Sequence, residues 1–200
     1  MRVLVVGSGA REHALSWKLK QSPNISELFV APGNAGTASI ARTLDIAPDD
    51  TQGLAAAIQS HKIDLTVVGP EGPLSQGIVD VFQERNLPIV GPSKAAARIE
   101  SSKAFARELM QRKGIPCARG AVFQSFSEAA RYIESQSAPI VVKADGLAAR
   151  KGVVIAQSKD EAMEALRDAM ETRVFGAAGD KVVIEECLTG REVSLLAFTD

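Results

Sequence analysis

The chain reads as α/β: an open, parallel, Rossmann-like sheet in the first hundred of its 200 residues, then a smaller α+β unit. Three observations predict this. Short apolar runs alternate with helix-patterned segments as far as residue 90. Glycine-containing loops follow several of those runs. Beyond residue 113 the alternation gives way to closely spaced strand and helix signals. Alternation of the first kind builds parallel sheets with helices on both faces.

The first unit is expected over residues 1–100. Its apolar runs, 3–6, 28–31, 65–68 and 88–90, have the length of strands buried on both faces. Helices are expected at 11–20 after a glycine turn, and at 51–60, where Leu54, Ala55 and Ile58 share a face. A further helix is expected at 73–85, where proline sits in the first turn and its missing N–H costs nothing. Residues 93–113 read as two helical stretches, with Phe105, Leu109 and Met110 on one face of the second. Gly114 and Pro116 end it.

The remainder divides into a connecting helix and strand (101–122), a small subdomain (123–192) and the first strand of a further sheet (193–200). Strands are expected at 120–123, 139–143, 153–156, 182–185 and 193–198. Helices are expected at 128–135 and over the stretch carrying Ala162, Ala165, Leu166, Ala169 and Met170. Ser125 with Glu128, and Ser158 with Glu161, have the spacing of capping boxes.

Composition excludes several classes. Hydrophobic residues are 46%, charged residues 24%, and the net charge is −1. That is ordinary globular material with no global field for nucleic acid or an acidic membrane. No apolar run approaches the roughly 18 residues that span a bilayer. Met1 leads straight into RVLVVG, which lacks the pattern of a signal peptide. A cytoplasmic protein is expected, with Cys117 and Cys187 as reduced, half-buried thiols. His13 and His61 lack metal-ligand spacing. The last residues, LLAFTD, fall inside a strand-like run, so an N-terminal fragment of a longer protein is expected.

The glycine loops carry the first candidate site. GSGAREHA follows the first strand, and its Gly7 and Gly9 allow backbone N–H groups to approach an anion at a helix start. It is close to the dinucleotide fingerprint, but Glu12 stands where the third glycine belongs, and no acidic residue ends the second strand. A phosphate or phosphosugar site fits better; a plain strand-to-helix turn is the alternative. APGNAGTA and VGPEGPLSQG follow the next main strands and offer Asn34 and Glu71. Ligands of open α/β sheets gather at such strand ends. Jointly the loops suit a small polyhydroxylated anion.

The second candidate is KADGLAARKGVVIA, where Lys143 ends a strand and a glycine-bounded loop follows. Gly146, Arg150, Lys151 and Gly152 make it either an exposed basic hairpin or a lid for a polyanion, since glycine-loop N–H groups and a lysine suit phosphate oxygens. Lys103 opens a helix just upstream. In VVIEECLTGREVS a strand runs into Glu185 and Glu186, then Leu188 and Glu192. Such a strand exit can present a backbone donor and acceptor to an adenine edge, and a carboxylate to ribose.

These stretches resemble the ATP-grasp superfamily and, within it, the phosphoribosylamine–glycine ligase family of purine biosynthesis. VLVVGSGAREHALSWKL, APGNAGTA, VGPEGPL, GPSKAAARIESSKAF, GIPCA, VVKADGLAARKGV and VIEECLTGREVS look like that family's blocks in the right order, along the whole chain. The resemblance implies a pre-ATP-grasp domain followed by the small ATP-grasp subdomain. It implies ligation of glycine to 5-phosphoribosylamine through glycyl phosphate, using ATP and magnesium. By position, Lys103 and Lys143 would hold ATP phosphates under the loop from Gly146 to Gly152. Glu186 and Leu188 would bond adenine through their backbones, beside Glu185, and Glu192 would take the ribose. Gly7, Gly9, Asn34 and Glu71 would face the phosphosugar.

No catalytic residue is assigned within the chain. The family's magnesium ligands and glycine-binding groups are expected beyond Asp200, so the 200 residues alone are expected to be inactive. The family usually has glycine where Arg150 stands and commonly an acidic residue at Arg191. Another ATP-grasp carboxylate–amine ligase, a biotin-dependent carboxylase subunit and a non-catalytic nucleotide-binding domain remain as rival readings. A nicotinamide-dependent oxidoreductase is disfavoured by Glu12.

Overall fold

A computed structural model describes residues 1–147 and 152–197, and they form two units, Met1–Ser101 and Ser102–Asp200. In the first unit, β1 (Arg2–Gly7), β2 (Glu27–Pro32), β3 (Arg42–Thr43), β4 (Leu65–Val68) and β5 (Ile89–Val90) pair in parallel in the order β3-β2-β1-β4-β5. Helices α1 (Ala10–Lys20), α2 (Ala35–Ala38), α3 (Thr51–His61), α4 (Glu71–Gln76), α5 (Ile78–Glu84) and α6 (Lys94–Ser101) complete it. Successive residues of β1 enter opposite cores. Leu4 and Val6 pack with Phe29, Leu54, Ile58 and Phe82. Val3 and Val5 pack with Leu28 and Val30, against Leu19 and Ile25. This is why the strands carry unbroken apolar runs. The strand order reverses direction between β1 and β4, and their carboxyl ends open a crevice there.

The run expected as one helix over 73–85 is two. Gly77 has φ 97° and ψ 29°, a left-handed conformation that ends α4 before α5 begins. Pro73 lies within the first turn of α4, which begins at Glu71. Asp50 caps α3 by accepting the Gly53 N–H at 2.9 Å.

In the second unit, α7 (Lys103–Lys113) precedes β6 (Gly120–Phe123), α8 (Phe126–Ser135), β7 (Ile140–Ala144), β8 (Val153–Ala156), α9 (Lys159–Met170) and β9 (Val182–Glu186). The strands are antiparallel in the order β6-β9-β7-β8. Ile140, Val142, Ala144, Val182 and Ile184 pack with Ile133 of α8 and Leu166 of α9. The alternate β7 positions, Val141 and Lys143, are only half-buried. Ser102 caps α7 by accepting the Phe105 N–H at 3.1 Å.

The structure corrects several expectations. Gly120–Phe123 is an integral strand of the second sheet, paired along β9, not a connector. On α7 the fully buried positions are Ala104 and Arg107; Phe105, Leu109 and Met110 are half-buried. Residues 191–197 form no strand: none of the described strands pairs with them, and Val193, Leu195 and Leu196 are exposed. Cys117 is exposed rather than half-buried, while Cys187 is intermediate.

Candidate functional site

The first unit gathers its polar groups where β1, β2 and β4 end. Gly7 closes β1 with φ 127°, and a Cβ there would lie 2.6 Å from the Glu12 side chain. Glu12 is 4% exposed and accepts the Gly9 N–H at 2.6 Å. A Cβ on Gly69 would meet the same carboxylate at 2.1 Å. Glu12 therefore fills the space that Gly7, Gly9 and Gly69 leave between β1 and β4. A carboxylate at this spot takes one of the N–H groups that a dinucleotide's pyrophosphate would use, which weighs further against a nicotinamide cofactor.

Arg11 and His13 reach neighbouring segments. Arg11 donates to the Gly69 carbonyl at 2.8 Å and reaches Glu71 at 3.3 Å. The His13 ring lies where a Cβ on Gly36 would be, 2.3 Å away. Asn34 caps α2, accepting the Thr37 N–H at 3.0 Å, and donates to the Ser8 carbonyl at 2.9 Å. Arg11 and Glu12 thus hold the loops after β4 and β1 by hydrogen bonds, and His13 packs against Gly36 of α2. A cleft of about 330 Å³ beside them is lined by Arg11, Gly69, Glu71, Leu74, Pro92, Ala97 and Glu100. The structure brings Gly9, Asn34 and Glu71 to one rim, whereas Gly7, expected there as well, is buried beneath the Glu12 side chain. Sequence reasoning missed the roles of Arg11, Glu12 and His13, although GSGAREHA carries all three.

The second unit assembles a chain of charges. Lys143 at the end of β7 pairs with Glu185 Oε2, and Arg107 Nη1 meets Glu185 Oε1 at 2.8 Å. Exposure rises along the chain: 2% for Arg107, 12% for Glu185, 28% for Lys143. Arg107 Nη2 also donates to the Gly120 carbonyl at 2.7 Å, and its buried Nε has no partner among the described residues. Lys103 Nζ donates to the Gly146 carbonyl at 2.8 Å, and Gly146 has φ 95°. Asp145 accepts the Ala104 N–H and the Ser102 hydroxyl, both at 3.1 Å, so the loop after β7 is anchored on the start of α7. Gly152 is buried at the far side of that loop. Arg150 and Lys151 lie outside the described residues.

At the exit of β9, Glu186 accepts the backbone N–H and the Nε of Arg119, each at 2.8 Å. Its own N–H donates to the Arg119 carbonyl at 2.8 Å. The hydrogen bond from the Arg119 side chain, reinforced by that from its backbone, holds the Glu186 carboxyl below its ordinary value. Arg119 is raised by the same bond. Leu188 is 69% exposed, and Glu192 is also exposed. Sequence reasoning missed Arg107, Arg119 and Asp145. Among the described residues no group of three or more His, Cys, Asp or Glu side chains is arranged to hold a metal.

Residues 1–100 match the N domain of phosphoribosylglycinamide synthetase, and residues 101–200 match its ATP-grasp (A) domain. The chain is 54% identical over 202 residues to the phosphoribosylamine–glycine ligase of Nostoc sp. and 51% identical over 202 residues to that of Vibrio vulnificus. In both cases the whole chain is covered and 47% of the relative, so the chain spans about half the length of these relatives. The crystal structure of phosphoribosylamine–glycine ligase from Thermotoga maritima superposes with a TM-score of 0.78 at 33% identity, covering 96% of this chain and 45% of that one. With both of its halves matched in order, the chain belongs to the phosphoribosylglycinamide synthetase family.

Proposed function

We propose that the protein carrying this chain is an ADP-forming carbon–nitrogen ligase that joins glycine to 5-phosphoribosylamine. ATP transfers its terminal phosphoryl group to the glycine carboxylate. The phosphosugar's amine then attacks that carbonyl carbon, a C–N bond forms, phosphate leaves and the amine loses a proton. The product is glycinamide ribonucleotide, a purine precursor. A cytoplasmic location accompanies this reading.

The supporting observation is the charge chain at the end of β7. Lys143 ends it, one strand from the Glu186–Leu188 exit of β9. In this reading Lys143 and Lys103 neutralise nucleotide phosphates beneath the loop bounded by Gly146 and Gly152, to which Arg150 and Lys151 belong. Adenine meets the Glu186 carbonyl and the Leu188 N–H, with Glu185 adjacent, and Glu192 faces the ribose. Gly9, Asn34 and Glu71 form the phosphosugar rim, with Gly7 beneath it. Such groups work by positioning and charge stabilisation, as in other phosphoryl transfers. The magnesium that ATP-dependent ligases use finds no ligand set among the described residues, and none of them is assigned to it.

The test uses the purified full-length protein with ATP, glycine and phosphoribosylamine. ADP, phosphate and glycinamide ribonucleotide should form in equal amounts, and only when both co-substrates are present. ATP consumption that needs bicarbonate instead of glycine would move the protein to the carboxylase branch. Preference for NAD over ATP would restore the oxidoreductase reading.

A further inference from the structure

We infer that Arg107 is a positioning residue of the nucleotide site: it offsets the charge of Glu185, so that Glu185 can hold the Lys143 ammonium in place without cancelling it. The inference rests on the nucleotide-site reading proposed above.

The geometry divides the Glu185 carboxylate cleanly. Oε1 accepts from Arg107 Nη1 at 2.8 Å, and Oε2 accepts from Lys143. Glu185 with Lys143 alone is a neutral pair, which presents an incoming anion with a dipole. Adding Arg107 leaves one net positive charge on the group. That charge is held in place by the two contacts on the Glu185 carboxylate. It is also delivered outward, since Arg107 is 2% exposed and Lys143 is 28% exposed.

The backbone around Arg107 is built to receive it. Its Nη2 bonds the Gly120 carbonyl at 2.7 Å. β6 reaches that position because residue 120 is glycine: a Cβ there would sit 2.1 Å from the Ile184 carbonyl oxygen and 2.8 Å from Glu185 Cα. The strand carrying Glu185 and the carbonyl holding Arg107 are thereby pressed together. The arrangement is costly, because Arg107 Nε is buried without a partner among the described residues. Replacing the whole buried ion group by apolar residues of similar size would often be as stable or more so. A cation retained at this cost fits a role beyond packing.

The experiment measures ATP and adenosine affinity by titration calorimetry on the full-length protein, in wild type and in R107M, R107K and the double variant R107M/E185Q. R107M should weaken ATP roughly tenfold, as expected for losing about one charge-assisted phosphate contact, with adenosine changed less than twofold. R107K should recover most of the loss. R107M/E185Q should also recover it, because an uncharged residue 185 no longer neutralises Lys143; this coupling is what a double-mutant cycle isolates. Equal losses for ATP and adenosine in R107M, or no recovery in either companion variant, would overturn the inference. If R107M does not fold, R107K retaining the ATP-to-adenosine ratio of wild type and R107M/E185Q folding with that ratio support it, and a lowered ratio in both overturns it. A wild type that binds no ATP overturns the nucleotide-site reading and this inference with it.

Discussion

The rim at the ends of β1, β2 and β4 and the charge chain at the end of β7 handle their polar groups in opposite ways. In the rim, the Glu12 carboxylate accepts a backbone N–H, Asn34 spans two loops, and Arg11 bonds a carbonyl and a half-exposed Glu71. These side chains hold backbone in place, and most of their bonding capacity faces the protein. At β7 two cations share one carboxylate, and the excess charge faces outward. In the proposed function the first arrangement recognises by the position of backbone groups, the second by charge. The rim should be nearly indifferent to salt, and the charge chain should weaken as ionic strength rises.

The largest expected effect separates the two arginines. Arg107→Ala breaks a buried ion pair and should lower stability by about 3–5 kcal/mol. Arg11→Ala removes a pair with side chains 59% and 45% exposed, worth at most about 1 kcal/mol, and a hydrogen bond to the Gly69 carbonyl worth about 1 kcal/mol, so it should cost no more than about 2 kcal/mol. Urea unfolding of each variant measures both. Equal losses would break the contrast between a buried and a solvated cation.

Lys143→Ala comes next and acts on binding. Loss of one charge-assisted phosphate contact should weaken ATP by about 1.5–3 kcal/mol. Adenosine should bind almost unchanged, and the phosphosugar should not sense the substitution. Calorimetric titration of the full-length variant with each ligand decides it, and an equal loss for adenosine removes Lys143 from phosphate binding.

In the rim, Glu12→Ala should cost about 1–3 kcal/mol, because the Gly9 N–H loses its acceptor while still partly buried. Its functional signature should be the reverse of that of Lys143: KM for the phosphosugar rises and ATP affinity stays. Steady-state kinetics with each substrate varied in turn would show the split, or its absence.

The contrast also explains what could be read in advance. β1 was legible because both its faces are buried, so Val3 to Val6 must all be apolar. The break at Gly77 was not, since a glycine inside a helical run is tolerated at about 1 kcal/mol and left-handed φ leaves no mark of its own. The 193–198 alternation has the period of a strand, but period alone supplies no ladder partner. Lys143 and Glu185 could be singled out because each ends a strand signal. Arg107 could not: between Ala106 and Glu108 it resembles any solvated helix position, and its partner is 78 residues away. The available hint was its spacing of three from Ala104, a small residue that leaves room on the same helix face. The clamping by Arg11, Glu12 and His13 depends on loops that meet only once the sheet has formed.

The smallest effect tests whether electrostatics also organise the exit of β9. The hydrogen bonds from the Arg119 side chain and backbone lower the Glu186 carboxyl from its ordinary value of 4.5. A depressed carboxyl adds stability that is present above its unfolded value and is lost as pH falls through the folded value. Arg119 is raised by the same side-chain hydrogen bond, so its own share persists through the whole working range and vanishes only in strong alkali. The pH dependence therefore lies on the acid side alone. Arg119→Met should return most of the Glu186 titration, followed by carbon NMR of its carboxyl, toward the ordinary range. It should also flatten the acid limb of the thermal-stability profile slightly. Because the Arg119 side chain is 89% exposed, added salt should shrink the wild-type difference. An unchanged titration in the variant would mean that the Arg119 backbone N–H at 2.8 Å suffices. The exit of β9 would then belong with the rim, as a site set by backbone placement, and not with the charge chain beside it.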